Sequence, residues 1–208
     1  FDEEEEVPED CKLSIKELKC LSVWEDFVSM KEWDNISNEE LVTLYEKETG
    51  KRYNTNFKQH HFFFDFLEYK EGRNIPEHLL YENKKNKEIS LSFKSIADIW
   101  NVLYKHKKVK KLIDKFIKKW KKVMLDIPNN WRCLEYSGGV SYGKECSLNP
   151  FYLQFRMSGF RVRRGDIFPT LVKSGPVPVL ISKKRYLTMN EGARLQSLRE
   201  NFKFVNKS

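Results

Sequence analysis

The sequence predicts an α+β fold. A helical N-terminal half with a long basic helix precedes a small β-rich region and a short C-terminal helix. Three observations carry this. Apolar residues recur at three-to-four spacing from Ser92 to Met124. Two later segments, Leu153-Gln154-Phe155-Arg156 and Phe160-Arg161-Val162-Arg163, alternate apolar and polar as strands with one wet face do. Between them, at Pro128-Asn129-Asn130, the helical pattern stops and Gly, Pro, aromatic and β-branched residues take over. With 208 residues, 40% hydrophobic and 33% charged, the chain is polar yet has the apolar mass for a core. We place the boundary between a 1–128 region and a 129–208 region there.

In chain order, the acidic run Asp2 to Glu6 reads as a solvated tail. From Ser14 to Tyr45 the pattern suggests short helices. Ser37 and Glu40 stand three apart as a capping box, and Leu41, Leu44 and Tyr45 form an apolar face behind it. An aromatic stretch follows, with His60, His61 and Asp65 beside Phe62, Phe63 and Phe64. Adjacent side chains point apart on a helix or strand, so the two histidines read as core or edge packing and not as a metal site. The Ser92–Met124 segment joins Ile96, Ile99, Trp100 and Leu103 to Val109, Leu112, Ile113, Phe116, Ile117 and Trp120. Gly138-Gly139 and Ser158-Gly159 mark turns, and Pro169, Pro176 and Pro178 limit continuous strand pairing.

Charge divides the chain more sharply than hydropathy. Residues 1–104 hold 14 Lys+Arg against 23 Asp+Glu, a net −9, and residues 105–208 hold 24 against 7, a net +17. That asymmetry points to a polyanionic partner for the second half, with double-stranded DNA the first candidate. No apolar run approaches the roughly 20 residues of a membrane span, and no charged-then-apolar leader opens the chain. The first residue is Phe1, compatible with a fragment, a processed chain or a split subunit. Cys11, Cys20, Cys133 and Cys146 are too scattered for a disulfide framework or a zinc grip, so all four are expected reduced, in a cytoplasmic protein.

The basic helix carries ten lysines between Lys105 and Lys122 against a single Asp114. Its 18 residues span roughly 27 Å, the scale of a phosphate track. Lys107, Lys111, Lys115 and Lys118 are the candidate phosphate contacts. Lysines are point charges without base-edge geometry, so this face should bind DNA without reading sequence. The bland reading is a solvated face. Base reading favours Arg, Lys, Gln and Asn, and the strand-and-turn stretch beside Ser158-Gly159 supplies Gln154, Arg156, Arg161, Arg163 and Arg164. Here the competing reading is that one or two of them form ion pairs bracing the domain.

Most enzyme motifs are missing: no phosphate loop, dinucleotide turn, nucleophile elbow or H-E-x-x-H helix occurs. One segment is recognisable. Arg161-Val162-Arg163-Arg164 leads into Pro169-Thr170-Leu171, and Arg185-Tyr186-Leu187-Thr188 leads into Glu191-Gly192-Ala193-Arg194-Leu195-Gln196. In order and rough spacing, this closely resembles the C-terminal part of bacterial DNA cytosine-5 methyltransferases over about fifty residues, from Leu153 to Phe202. The family's Phe-Pro after the second block is here Leu198-Arg199, and its final Gly-Asn motif does not occur before Ser208. Its phenylalanine-glycine cofactor loop, Pro-Cys nucleophile and Glu-Asn-Val acid are also absent. Neither Cys133 nor Cys146 follows a proline.

The resemblance implies the target-recognition portion of a restriction-modification methyltransferase, a fragment or split subunit whose variable recognition region fills most of residues 1–165. By the same resemblance, S-adenosylmethionine and the catalytic cysteine belong to a catalytic part that precedes this region in the chain or forms a separate subunit, and the target cytosine is flipped from the duplex. No catalytic residue is expected in this chain. Thr188 and Glu191 read as a capping box that starts a Gly192–Leu198 helix. Two alternatives remain open: a stand-alone DNA-binding protein that has lost the chemistry, and a restriction endonuclease sharing recognition features with its methylase.

Overall fold

A computed structural model of the chain describes residues 7–50, 52, 62–65, 102–157, 159–165, 168, 171 and 175–198. It is an α+β structure, a helical layer packed on one face of a six-stranded mixed sheet. Helix α1 (Ile15–Ser29) starts at a full capping box, with Ser14 Oγ accepting from the Glu17 N–H and Glu17 returning a bond to the Ser14 N–H. A 3-10 turn (Lys31–Asn35) leads into α2 (Asn38–Thr49), whose Ser37–Glu40 box forms as the spacing predicts. Leu41 and Tyr45 are buried beneath it, with Leu44 packed partly against the core.

The periodic Ser92–Met124 segment is not one helix. Residues 92–101 lie outside the described residues. Val102 and Leu103 are helical, the chain then turns at 104–106, and α3 begins afresh as Lys107–Asp126, with His106 extended at its N-cap. The break has a reason in the pattern. Leu103 and Val109 are six residues apart, about 240° around a helix, and the turn re-phases the chain so that both are buried. A 3-10 turn (Asn129–Arg132) with Pro128 at its N-cap follows α3. Arg132 is buried there, its Nη2 donating to the carbonyls of Leu125 and Ile127, both at 3.1 Å. Those are orphan carbonyls at the end of α3.

The strands are β1 (Phe62–Asp65), β2 (Cys133–Ser137), β3 (Tyr152–Arg156), β4 (Gly159–Arg163), β5 (Val179–Leu180) and β6 (Arg185–Tyr186). Their spatial order is β1-β2-β4-β3-β5-β6, and only β2–β4 is parallel. The aromatic stretch therefore contributes an edge strand, while His60 and His61 lie outside the described residues. The predicted strands β3 and β4 form a tight hairpin. Gly159 has φ +144°, and a Cβ there would come 2.9 Å from the Cys133 carbonyl oxygen. The strand crossing from β2 to β4 requires that close approach.

Both regions share one core. Trp24 of α1 is fully buried between Phe116 of α3 and Phe160 of β4, ring centroids 6.0 and 6.3 Å away. The loop after β2 is pinned to the helical layer. Tyr142 is buried against Phe27, Trp33 and Tyr136, Asp34 accepts from the Lys144 N–H, and Glu25 accepts from Ser147 Oγ and the Leu148 N–H. The last helix, α4, spans Met189–Leu195, three residues earlier than Gly192–Leu198. Thr188 is the N-cap, which makes Met189 the first helical residue, and Ser197 at φ +57° lies beyond the end. Among the described residues no helix is long and apolar enough to cross a membrane.

Candidate nucleic-acid interface

Strand alternation decides what each face of the sheet carries. Leu134, Tyr136, Leu153, Phe160 and Val162 point to the helices and are fully buried. The opposite face therefore carries Glu135 of β2, Tyr152, Gln154 and Arg156 of β3, and Arg161 and Arg163 of β4. Four of the five residues expected to read bases share this face. Arg164 follows β4 and is exposed near the Gly139 turn.

The register lines up Gln154, Arg161 and Glu135 across three strands. Arg161 Nε approaches Glu135 Oε1 at 2.9 Å in an ion pair whose side chains are only 19% and 23% exposed, without an aligned hydrogen bond. Burial lowers the Arg161 pKa, Glu135 opposes that, and the positive charges of Arg163 and Arg156 add to it. So Arg161 is braced by its ion pair with Glu135 and also feels two further guanidiniums, Arg156 and Arg163, on the same face. Gln154 Nε2 donates to the Pro176 carbonyl at 3.2 Å, and Asn130 Nδ2 holds the Arg156 carbonyl at 2.9 Å. Phe168 packs edge-on against Tyr152 at 4.3 Å and flanks the same face.

The lysine helix divides into two arcs. Lys108 pairs with Glu40 at 2.9 Å and Lys119 with Asp26 at 2.8 Å, while Lys115 pairs with Glu32, and Lys105, just ahead of α3, with Glu48. Hydrogen bonds from these lysines hold the carboxyls of Glu32, Glu40 and Glu48 below their usual range. Lys115, expected to contact phosphate, is thus engaged by the protein's own acidic front. Lys107, Lys111 and Lys118 are exposed and make no ion pair among the described residues. The sheet face and the lysine helix are separate surfaces with the core between them.

The residues that carry the family resemblance form a structural knot. Arg185 and Glu191 are both buried and form a two-pronged ion pair, with Nη1–Oε2 and Nη2–Oε1 both at 2.7 Å. Glu191 also closes the capping box with Thr188. Burial alone would raise the Glu191 pKa, but the Arg185 and Thr188 hydrogen bonds outweigh it and bring it to about 2. Ala193 is buried, Arg194, Leu195 and Gln196 are exposed, and Leu171 lies near Gly192. Pro169 and Thr170 lie outside the described residues.

The cysteines are free and buried. Burial raises the thiols of Cys11, Cys20 and Cys146, the reverse of what an activated nucleophile needs. Among the described residues no cluster of metal-ligating side chains occurs. Sequence reasoning missed Glu135, Arg132 and the role of Arg185. Only Arg185 left a signal, because it stands in the same motif as its partner Glu191. Compared with known protein families, curated proteins and solved structures, the chain matches none.

Proposed function

We propose that this chain is the target-recognition part of a DNA (cytosine-5) methyltransferase of restriction-modification type, and that it binds duplex DNA through the outer face of its sheet. The observation that carries the reading is the cluster of Arg156, Arg161 and Arg163 on one face of the sheet, where Glu135 is the one carboxylate paired with any of them among the described residues. Among the described residues, three guanidiniums against that one carboxylate leave positive charge unmatched on a half-buried surface. Guanidiniums grip phosphate or guanine O6 and N7 with paired hydrogen bonds. The cluster lies just ahead of the Pro169-Thr170-Leu171 block, where the resembling family joins its recognition region to its body. Gln154 beside Arg161 adds an adenine-reading amide. S-adenosylmethionine and the nucleophile would be supplied by the catalytic part, while this chain's residues bind and orient the duplex.

The test is co-expression with a polypeptide carrying a Pro-Cys motif and a glycine-rich cofactor loop, read as tritium transfer from labelled S-adenosylmethionine to duplex DNA. Transfer is expected only when both parts are present. Replacing Arg156, Arg161 or Arg163 by Ala should, in at least one case, cost roughly 1–3 kcal/mol of discrimination at one base pair and leave non-specific binding intact. Transfer by this chain alone, abolished by Cys133→Ser or Cys146→Ser, contradicts the assignment. Equal weakening of every sequence by all three variants would make these arginines phosphate clamps.

A further inference from the structure

We infer that the outward arc of α3, centred on Lys107, Lys111, Lys118 and Lys122, is a second DNA-binding surface that follows the phosphate backbone. We further infer that the acidic front of the same chain sets its edge by occupying the neighbouring lysines. This deepens the DNA-binding reading above and rests on it only for the identity of the polyanion.

At about 100° per residue these four lysines fall within a 60° stripe. Lys108, Lys115 and Lys119 fall just beyond one side of it, and these are the helix lysines whose charges are met by Glu40, Glu32 and Asp26. The division follows from packing. The helix buries Val109, Leu112, Ile113, Phe116, Ile117 and Met124 against the core, which sets its rotation and brings one lysine edge alongside α1 and α2. Lysines on the other side of the stripe reach no carboxylate among the described residues. The stripe holds one acid near its edge, Asp114, which accepts from the Tyr104 hydroxyl at 3.5 Å.

Lys107 and Lys122 stand fifteen positions apart, about 22 Å along the axis, which matches the axial rise of about six base pairs. A lipid surface is the weaker match. A basic helix that binds membranes inserts its apolar face, and here that face is consumed by the core, leaving charge alone to meet a partner.

The experiment measures binding of the full chain to a random-sequence duplex of about 20 base pairs, from about 50 to 200 mM salt, with thermal melts confirming that each variant is folded. Two charge-matched sets are compared. Changing Lys107, Lys111, Lys118 and Lys122 to Gln should flatten the slope of log K against log salt by about 3.6, at about 0.9 for each phosphate neutralised. Changing Lys105, Lys108, Lys115 and Lys119 to Gln should move it by less than about 1. Changing Glu32, Glu40 and Glu48 to Gln should free three lysines, steepen the slope and tighten binding. Equal effects from the two lysine sets would overturn the inference, since net charge alone would explain them. So would a carboxylate variant that binds no tighter, or stronger capture of the chain by phosphatidylserine vesicles than by duplex. Base preference in the reconstituted transfer assay should survive the stripe variants, so the recognition reading stands or falls separately.

Discussion

Replacing Glu191 with Gln should destabilise the protein by about 3 kcal/mol at pH 7, with a pH dependence that identifies the cause. Glu191 is 5% exposed, and its carboxylate sits in the fork of Arg185, itself 7% exposed. Its pKa falls from 4.5 to about 2 on folding, and at about 1.4 kcal/mol per tenfold change in proton affinity this corresponds to about 3 kcal/mol. Removing one partner of a buried pair is worth a similar amount, about 3–5 kcal/mol, because the other charge is left unmatched. Because the folded pKa is the lower one, this contribution is complete above pH 4.5 and is lost as pH falls towards 2. Urea unfolding of wild type and Glu191→Gln, followed from pH 7 to pH 3, should show a gap that is constant down to about pH 5 and narrows below it. A gap under about 1 kcal/mol at pH 7, or one that does not narrow in acid, refutes the argument. Arg185→Lys keeps the charge but loses the fork, and should cost only part of what Glu191→Gln costs.

Gly143 has φ +142°, and a Cβ there would collide with Asp34 Oδ1, so Gly143→Ala should cost about 1–3 kcal/mol in urea unfolding. A cost below about 0.5 kcal/mol would mean that the loop is not anchored on Asp34. The four thiols should resist a disulfide reagent in the native protein and react only as fast as the chain opens, since none is more than 8% exposed. Reaction of any one of them within seconds at neutral pH would show that its burial is wrong.

The sequence by itself determined the local elements. The Ser37–Glu40 box, the Thr188–Glu191 box ahead of α4 and the alternation in β3 and β4 are short-range devices, settled by hydrogen bonds three residues apart or by the two-residue repeat of a strand. Alternation also put Gln154 and Arg156, and Arg161 and Arg163, on the wet face of their own strands, and the β3–β4 pairing then joined those two faces. The tertiary structure decided which of those charges are already spent. Glu135 reaches Arg161 only because β2 pairs with β4 in parallel, skipping the β3–β4 hairpin. Lys115 reaches Glu32, 83 residues away, only because α3 packs beside the helical front. The turn at 104–106 was hidden for the same reason. Apolar periodicity records which residues are buried, not that one continuous helix buries them, and only packing shows where the chain must change phase.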